Sequence, residues 1–420
     1  MLGRGVGVEV LGRFARVDEV VSEVVKYLHL PPSCTLDLLH ALGKVSSCTI
    51  TCSKPIPPHL KATMDGVAVR SSDVAHASEV NPIYLKLRSN EVVHACELPN
   101  FELREGECVL IETGGYLPRG ADAVVRLEDV EVADGTVAVY RSVPKYGNVS
   151  LVGEELSTGD TIVSVGDVIR PWHLAALSSQ GLSSIEVYDL KCGVVITGDE
   201  FVRSLAIPYT MWLIVGWLRE NWFTEVTTCV VPDDTSIIVS KVKEFISRDY
   251  SVVLIVGGTA LGRKDYSVKA IKLLEPEYMV HGLAIRPGRT TCVSSVDGRL
   301  VIAMSGLPVA ALAVLELILR SILIKWLGVR APPRAVVRGK LVKKVAGVVG
   351  YRCFVRVIVR RISSEYFIEP IMVGGSGSLR SLVLGNGYLV VPEDVEGYDV
   401  GDVVEVTLYG HVEEGLPQVS

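Results

Sequence analysis

The chain has 420 residues, 42 Lys and Arg against 48 Asp and Glu, a net charge of −6, and 49% hydrophobic residues. That length exceeds what one core holds, so several domains are expected, and the mildly acidic balance without a block of like charge excludes a nucleic-acid partner held by bulk basicity. No apolar run reaches the roughly 20 residues of a membrane-spanning helix, since the longest, 308–327, carries Glu316, Arg320 and Lys325.

The start, Met1-Leu-Gly-Arg-Gly5, lacks the apolar stretch of a secretory signal. Of nine cysteines, scattered and without a C-x-x-C pair, most read as small buried hydrophobes. A cytoplasmic protein is expected.

Residues 17–43 read as helical. Val17, Val20, Val21, Val24, Val25 and Leu28 recur at helical spacing, and a second helix is predicted over 36–42 after Pro31-Pro32. From Cys48 the pattern becomes short alternating strands, such as 83–88, 107–112 and 136–140, broken by Gly, Pro, Asn and Asp. That marks 48–147 as an inserted β domain between the halves of a split N-terminal domain, 1–47 and 148–188. The second half carries a helix after Arg170-Pro171 and a strand over 184–188.

Residues 189–329 alternate strand and helix, with strands at 194–196, 225–231 and 252–256 and helices at 211–220 and 234–246. This spacing predicts a doubly wound parallel sheet, whose ligands lie beyond the C-terminal ends of its strands. Residues 330–420 read as all β, with Val355, Val357 and Val359 on one face and Arg356 and Arg360 on the other. The fold class is therefore α/β plus β, in several domains.

Two strand–glycine–helix junctions stand out. The apolar run 253–256 ends in Gly257-Gly258 and opens through Gly262, Arg263 and Lys264 to Asp265-Tyr266; the run 299–304 ends in Ser305-Gly306-Leu307-Pro308. Backbone N–H groups and a positive helix end in such turns hold anions, so a phosphorylated ligand is expected at Gly257, Gly258, Gly262 and Gly306. Between them Arg286-Pro-Gly-Arg289 presents two guanidiniums, for which anion binding and plain surface charge weigh equally.

Acidic turns are the second signal. Asp65 lies in an Asp-Gly turn, Glu154-Glu155 follow Gly153, Asp199-Glu200 and Asp233-Asp234 follow the first two α/β strands, and Asp265 follows the third. Each alone reads first as a helix cap. Together they could hold Mg²⁺, which wants hard oxygen ligands and bridges to phosphates, with Asp233, Asp234 and Asp265 as candidates. Glu316 and Arg320, four apart, read as a structural pair, and Trp212, Trp217 and Trp222 as core or interface.

These blocks, in this order, resemble the molybdopterin molybdotransferase family, that is MoeA and the E domain of gephyrin. The matching segments are 63–70, 112–125, 153–160, 197–200, 231–234, 257–266, 284–288 and 375–387, covering roughly 15–410 of the chain. The resemblance implies a MoeA-like fold with a doubly wound molybdopterin-binding domain, an inserted β domain and a C-terminal β-barrel-like domain, assembled as an elongated homodimer. It implies insertion of molybdate or tungstate into adenylylated molybdopterin with Mg²⁺ and release of AMP, and it leaves room for other cofactor-biosynthesis proteins as partners. It also implies acidic roles for Asp65, Glu155, Glu200, Asp233 or Asp234, and Asp265, with catalysis at Asp65, Glu155 and Asp265. Cofactor contacts would come from Thr113, Glu200 and Arg286.

The chain departs from the family at the ligand. Pro208-Tyr209-Thr210 stands for Asp-Ser-Asn, Val256 and Ala260 for serines, Ser305-Gly-Leu-Pro-Val-Ala310 for Pro-Gly-Asn-Pro-Val-Ser, Gly282 for a lysine and Ser150 for an arginine. Each lost ligand hydrogen bond costs roughly 1–3 kcal/mol. The alternative is thus a non-catalytic paralogue that binds the cofactor or a true molybdotransferase.

Overall fold

A computed structural model describes residues 14–88, 92–258, 265–330, 334–371 and 375–415. The chain forms two compact units: 49–163 with 175–182, and the remainder.

In the smaller unit a six-stranded sheet curls in the order Ala123–Arg126, Gly66–Val69, Glu107–Ile111, Ile83–Leu87, Thr136–Val139, Val130–Ala133. Both faces are covered. Val67 and Val69 join one apolar cluster while Ala68, between them, joins another. A strand buried on both sides reads as a continuous apolar run, as Gly66–Val69 does.

In the larger unit six strands form one sheet: β1 Lys191–Thr197, β2 Glu225–Val231, β3 Val252–Val256, β4 Tyr278–His281, β5 Cys292–Val296 and β6 Arg299–Met304. Their order is β2-β1-β3-β6-β5-β4. The first four are parallel, as expected, but β5 and β4 extend the sheet antiparallel. These two escape a sequence reading because buried Ser294 and Ser295 interrupt the apolar run in β5 and every residue of β4 is half-buried.

The helices are α1 Tyr209–Glu220, α2 Thr235–Ser247, α3 Tyr266–Leu273, α4 Pro308–Val314 and α5 Arg320–Leu327. One face of the sheet, with Val194, Leu254 and Ile302, packs on Ile214 of α1 and on Val314, Ile318 and Ile322 of the α4–α5 rod. The other, with Val195, Ile255 and Val301, packs on Ile238 and Val242 of α2 and Ile271 of α3. The sheet is doubly wound.

Near the N-terminus, the helix Val17–Val24 buries Val17, Val20, Val21 and Val24, as their spacing demands. The helix expected over 36–42 is mostly not there. Ser33–Asp37 is a strand, paired antiparallel with Ser184–Tyr188, and Leu38–Ala41 is a single turn capped by Asp37. A strand partner 150 residues away overrides local helical spacing.

Five strands close a barrel at the C-terminus: Val336–Leu341, Arg352–Ile362, Glu365–Pro370, Gly387–Val391 and Val403–Leu408. Arg352–Ile362 closes the ring and also takes the short strand Ile285–Arg286 of the α/β region in parallel at one end. Val357 and Val359 fill the barrel core. Arg356 and Arg360 face the other way yet are buried, Arg356 against Ser381 and Gly375 and Arg360 against Glu369 and Glu413.

The rod from α4 to α5 passes through a π turn, Leu315–Leu319. The expected Glu316–Arg320 pair does not form. The extra residue per turn breaks i,i+4 alignment, so Glu316 pairs with Arg334, and Arg320 donates to Asn221 while lying over the Trp222 ring. Trp217 and Trp222 are core; Trp212 is exposed.

Candidate functional site

Parallel strands β1, β3 and β6 end in register, Ile196 beside Val256 and Val256 beside Met304, so the turns that follow gather at one edge. Gly257 has φ +104°, and a Cβ there would stand 2.7 Å from the Thr197 carbonyl oxygen, so only glycine fits. Its N–H donates to Met304 O at 3.0 Å, and its carbonyl accepts from Ser267 Oγ at 2.7 Å. Gly306 faces the Gly257 Cα at Cβ-contact distance, and its carbonyl accepts from Thr210 Oγ1 at 2.7 Å. Of the expected anion-loop glycines, Gly257, Gly258 and Gly306 therefore come together. Gly262, with Ala260 and Lys264, lies outside the described residues.

A cavity of about 410 Å³ opens beside the β6 turn. The arginine turn contributes Arg286 and Arg289, the β6–α4 turn Ser305 and Leu307, and the barrel side Tyr351 and Ser376. Both arginines are exposed and neither has a carboxylate partner among the described residues. Two unneutralised guanidiniums and two serine hydroxyls in one lining suit an anion, and Tyr351 and Leu307 offer apolar surface to a ring. Leu307, 45% exposed, occupies the N-cap of α4 and offers no side-chain acceptor. Tyr351 and Ser376 were missed. Ser376 lies inside the family-like 375–387 segment; nothing in the local pattern marks Tyr351.

The acids do not gather into a metal cluster. Among the described residues no three His, Cys, Asp or Glu side chains stand close enough to share an ion. Asp234 caps α2, accepting from Ser236 N at 2.8 Å and Ile237 N at 3.0 Å, and the Ser236 hydroxyl with these amides holds its carboxyl below the usual range. Asp265 caps α3 through Val268 N at 3.2 Å. It is buried, unlike the capping Asp234: it is 9% exposed, 3.9 Å from His281 Nε2, and burial pushes its carboxyl above the usual range. The Asp233 carboxylate accepts from Thr197 Oγ1 at 2.6 Å, and its backbone N–H donates to Asp199 Oδ1 at 3.3 Å, so the Asp199 side chain reaches the Asp233 backbone at the β1–β2 edge. Glu200 is exposed beside them in sequence.

Asp65, Thr113 and Glu155 belong to the smaller unit. One Asp65 oxygen accepts from Thr113 N at 2.7 Å and Thr113 Oγ1 at 2.8 Å, which holds the carboxyl below its usual range. Glu155 pairs with Lys61 at 2.7 Å, and neighbouring Glu154 accepts from Ser150 Oγ and Leu151 N.

A doubly wound sheet with glycine turns at its C-terminal edge, an arginine-lined cavity closed by a β-barrel and a separate curled β unit define a multidomain ligand-binding α/β protein. Family profiles narrow this. The MoeA N-terminal region (domain I and II) matches residues 15–181, the probable molybdopterin binding domain residues 193–325, and the MoeA C-terminal region (domain IV) residues 338–409. The chain belongs to the MoeA family. It is 33% identical over 388 residues to a putative molybdopterin biosynthesis protein of Methanocaldococcus jannaschii, covering 89% of this chain and 91% of that one. It is 26% identical over 400 residues to the molybdopterin molybdenumtransferase of Staphylococcus aureus, covering 93% and 95%. A molybdopterin biosynthesis MoeA protein from Pyrococcus horikoshii superposes with a TM-score of 0.77 at 28% identity, covering 94% of this chain and all of that one. Among the described residues no helix is long and apolar enough to cross a membrane.

Proposed function

We propose that this protein is a molybdopterin molybdenumtransferase that inserts molybdate, or tungstate, into adenylylated molybdopterin and releases AMP. The observation that carries the reading is the cavity lined by Arg286 and Arg289, unneutralised among the described residues, together with Ser305, Ser376, Leu307 and Tyr351. An oxoanion and a pyrophosphate need that positive charge, and a pterin ring needs the apolar surface. Gly257, Gly258 and Gly306 would admit phosphate close to backbone N–H groups. Thr113, Glu200 and Gly262 are proposed further contacts to the cofactor, with Asp65, Glu155 and Asp265 as the acids of the reaction.

For Mg²⁺ the proposed donors are Asp233 and Asp199, whose side chain reaches the Asp233 backbone N–H, because Mg²⁺ takes one or two carboxylates and completes its shell with water and substrate phosphate. Bound there, Mg²⁺ would neutralise charge on the substrate oxygens. Asp234, spent on capping α2, is the weaker ligand. The domain boundaries proposed are 1–47 with 148–188, 48–147, 189–329 and 330–420.

A cytoplasmic homodimer is proposed as well. Its support is the exposed apolar set Val202, Leu205, Ile207, Tyr209 and Trp212, with Leu205 at 76% and Trp212 at 67% exposure, since apolar groups exposed together mark interaction sites. Light scattering that finds a stable monomer at micromolar concentration overturns the dimer.

Leu307 favours the second reading, a paralogue that binds without turnover, since it places an alkyl group where a loop ligand would stand. Purified protein mixed with adenylylated molybdopterin, then with molybdate, separates the two. Binding followed by AMP release supports the transferase, binding without release the paralogue, and no binding overturns both.

A further inference from the structure

The two walls of the cavity belong to different parts of the larger unit. Ser305, Leu307 and Ala310 sit at the start of the α4–α5 rod; Tyr351 and Ser376 sit on the barrel, and Arg286 is hydrogen-bonded into the barrel's closing strand. One buried side chain ties the two together. Glu316, in the π turn of the rod, is 2% exposed at its side chain. Its Oε1 accepts from Trp217 Nε1 at 2.7 Å and Arg334 Nη2 at 2.6 Å; its Oε2 accepts from Arg334 Nε at 3.0 Å and Tyr388 Oη at 3.2 Å. Those donors come from α1, from the segment entering the barrel and from the barrel strand Gly387–Val391.

From Tyr388 the contacts run on to the cavity. Tyr388 stacks on Phe354 with ring centres 4.6 Å apart and on Tyr409 at 6.4 Å. Two residues along the strand from Phe354, Arg356 donates to Ser381 Oγ at 3.1 Å and Gly375 O at 3.4 Å, and Ser376 follows Gly375 into the cavity. A well-packed apolar side chain would cost less to bury than this carboxylate. What the carboxylate adds is direction: its four hydrogen bonds fix one orientation of barrel on rod, where the apolar contacts of Val309, Ala313 and Leu317 with Phe354 and Tyr388 would allow sliding.

We infer that Glu316 is a positioning residue for the cavity: through Arg334 and Tyr388 it sets the barrel wall, with Tyr351 and Ser376, against the rod wall at Ser305 and Leu307. The inference rests on the reading of this cavity as an anion site. Positioning residues act by small distances, and a displacement of about 1 Å in a binding constellation costs up to about a hundredfold.

Calorimetric titration of the full chain with inorganic pyrophosphate, alongside thermal midpoints, tests it. Glu316→Gln strands the Arg334 guanidinium, so both stability and affinity fall. Glu316→Leu with Arg334→Met removes both charges; the midpoint rises above that of Glu316→Gln, held short of the parent by the Trp217 and Tyr388 donors left without an acceptor, but pyrophosphate binding stays about tenfold weaker. Tyr388→Phe keeps the stacking and weakens binding severalfold with a nearly unchanged midpoint. Affinity that rises in step with the midpoint from Glu316→Gln to the double variant overturns the role, because a merely structural Glu316 predicts that the two recover together. If the double variant does not fold, parental affinity in Tyr388→Phe overturns it equally. A parent chain that fails to bind pyrophosphate overturns this inference and the anion reading together, an outcome distinct from equal binding by parent and variants.

Discussion

Replacing Asp265 separates catalysis from architecture at one position. Its Oδ1 accepts the Val268 amide at 3.2 Å and the residue is 9% exposed. Asp265→Ala removes a cap, worth typically about 1 kcal/mol, and leaves a buried N–H without its acceptor, which costs about 1–3 kcal/mol if water cannot reach it. These describe one lost bond seen two ways, so the expected loss is about 1–2 kcal/mol, a midpoint drop of a few degrees. Asp265→Asn keeps an acceptor for Val268 and removes the charge. Burial raises the carboxyl in the folded chain, so the wild-type contribution is fully present below the unfolded value of about 3.9 and is lost as pH rises through the folded value. The Asn variant, which does not titrate, therefore gains on the wild type as pH rises above about 4 and is at least as stable at pH 7. If Asp265 is an acid of the reaction, AMP release is abolished in both variants. Denaturant melts between pH 3 and 8, with AMP assayed by chromatography, read both quantities. An Asn variant that turns over at the parental rate refutes the catalytic role. One less stable than the parent at pH 7 by more than about 1 kcal/mol refutes the desolvation argument.

Arg286→Met and Arg289→Met each weaken pyrophosphate binding and flatten its salt dependence in calorimetry, while stability shifts by less than about 0.5 kcal/mol because both side chains are exposed. Gly257→Ala forces a Cβ to 2.7 Å from the Thr197 carbonyl at a positive φ, so urea melts should show a loss of about 1–3 kcal/mol. Asp234→Ala uncaps α2 and lowers the thermal midpoint at neutral pH. Because hydrogen bonds hold that carboxyl below its usual range, the gap to wild type is present above the unfolded value of about 3.9 and closes as pH falls through the folded value.

The parallel strands were legible because strands buried on both faces leave unbroken apolar runs, and Val252–Val256 matches the sequence reading to the residue. The glycine turns were legible for the same reason that they matter: only Gly tolerates the backbone of Gly257. What stayed hidden depends on partners distant in sequence. Ser33–Asp37 becomes a strand through Ser184–Tyr188, and β5 hides behind Ser294 and Ser295. Glu316 reads in sequence as half of an i,i+4 structural pair with Arg320, since a π turn leaves no mark in helical periodicity. At the site, equivalent-looking acids differ by burial: Asp234 is exposed and capping, Asp265 buried and capping, and Asp233 bonded to Thr197. No spacing rule separates these fates.

The short parallel pairing of Ile285 with Arg352 and Arg286 with Cys353 bears on how this chain could be recombined. A chimera cut at residue 330, where the sequence pattern changes from α/β to all β, would transplant the barrel but leave behind the two residues hydrogen-bonded to its longest strand. The graft would carry an unpaired strand edge, and the arginine turn would lose the template that holds it. Exchangeable modules here are therefore discontinuous: a functional swap of the barrel has to take 284–289 with it.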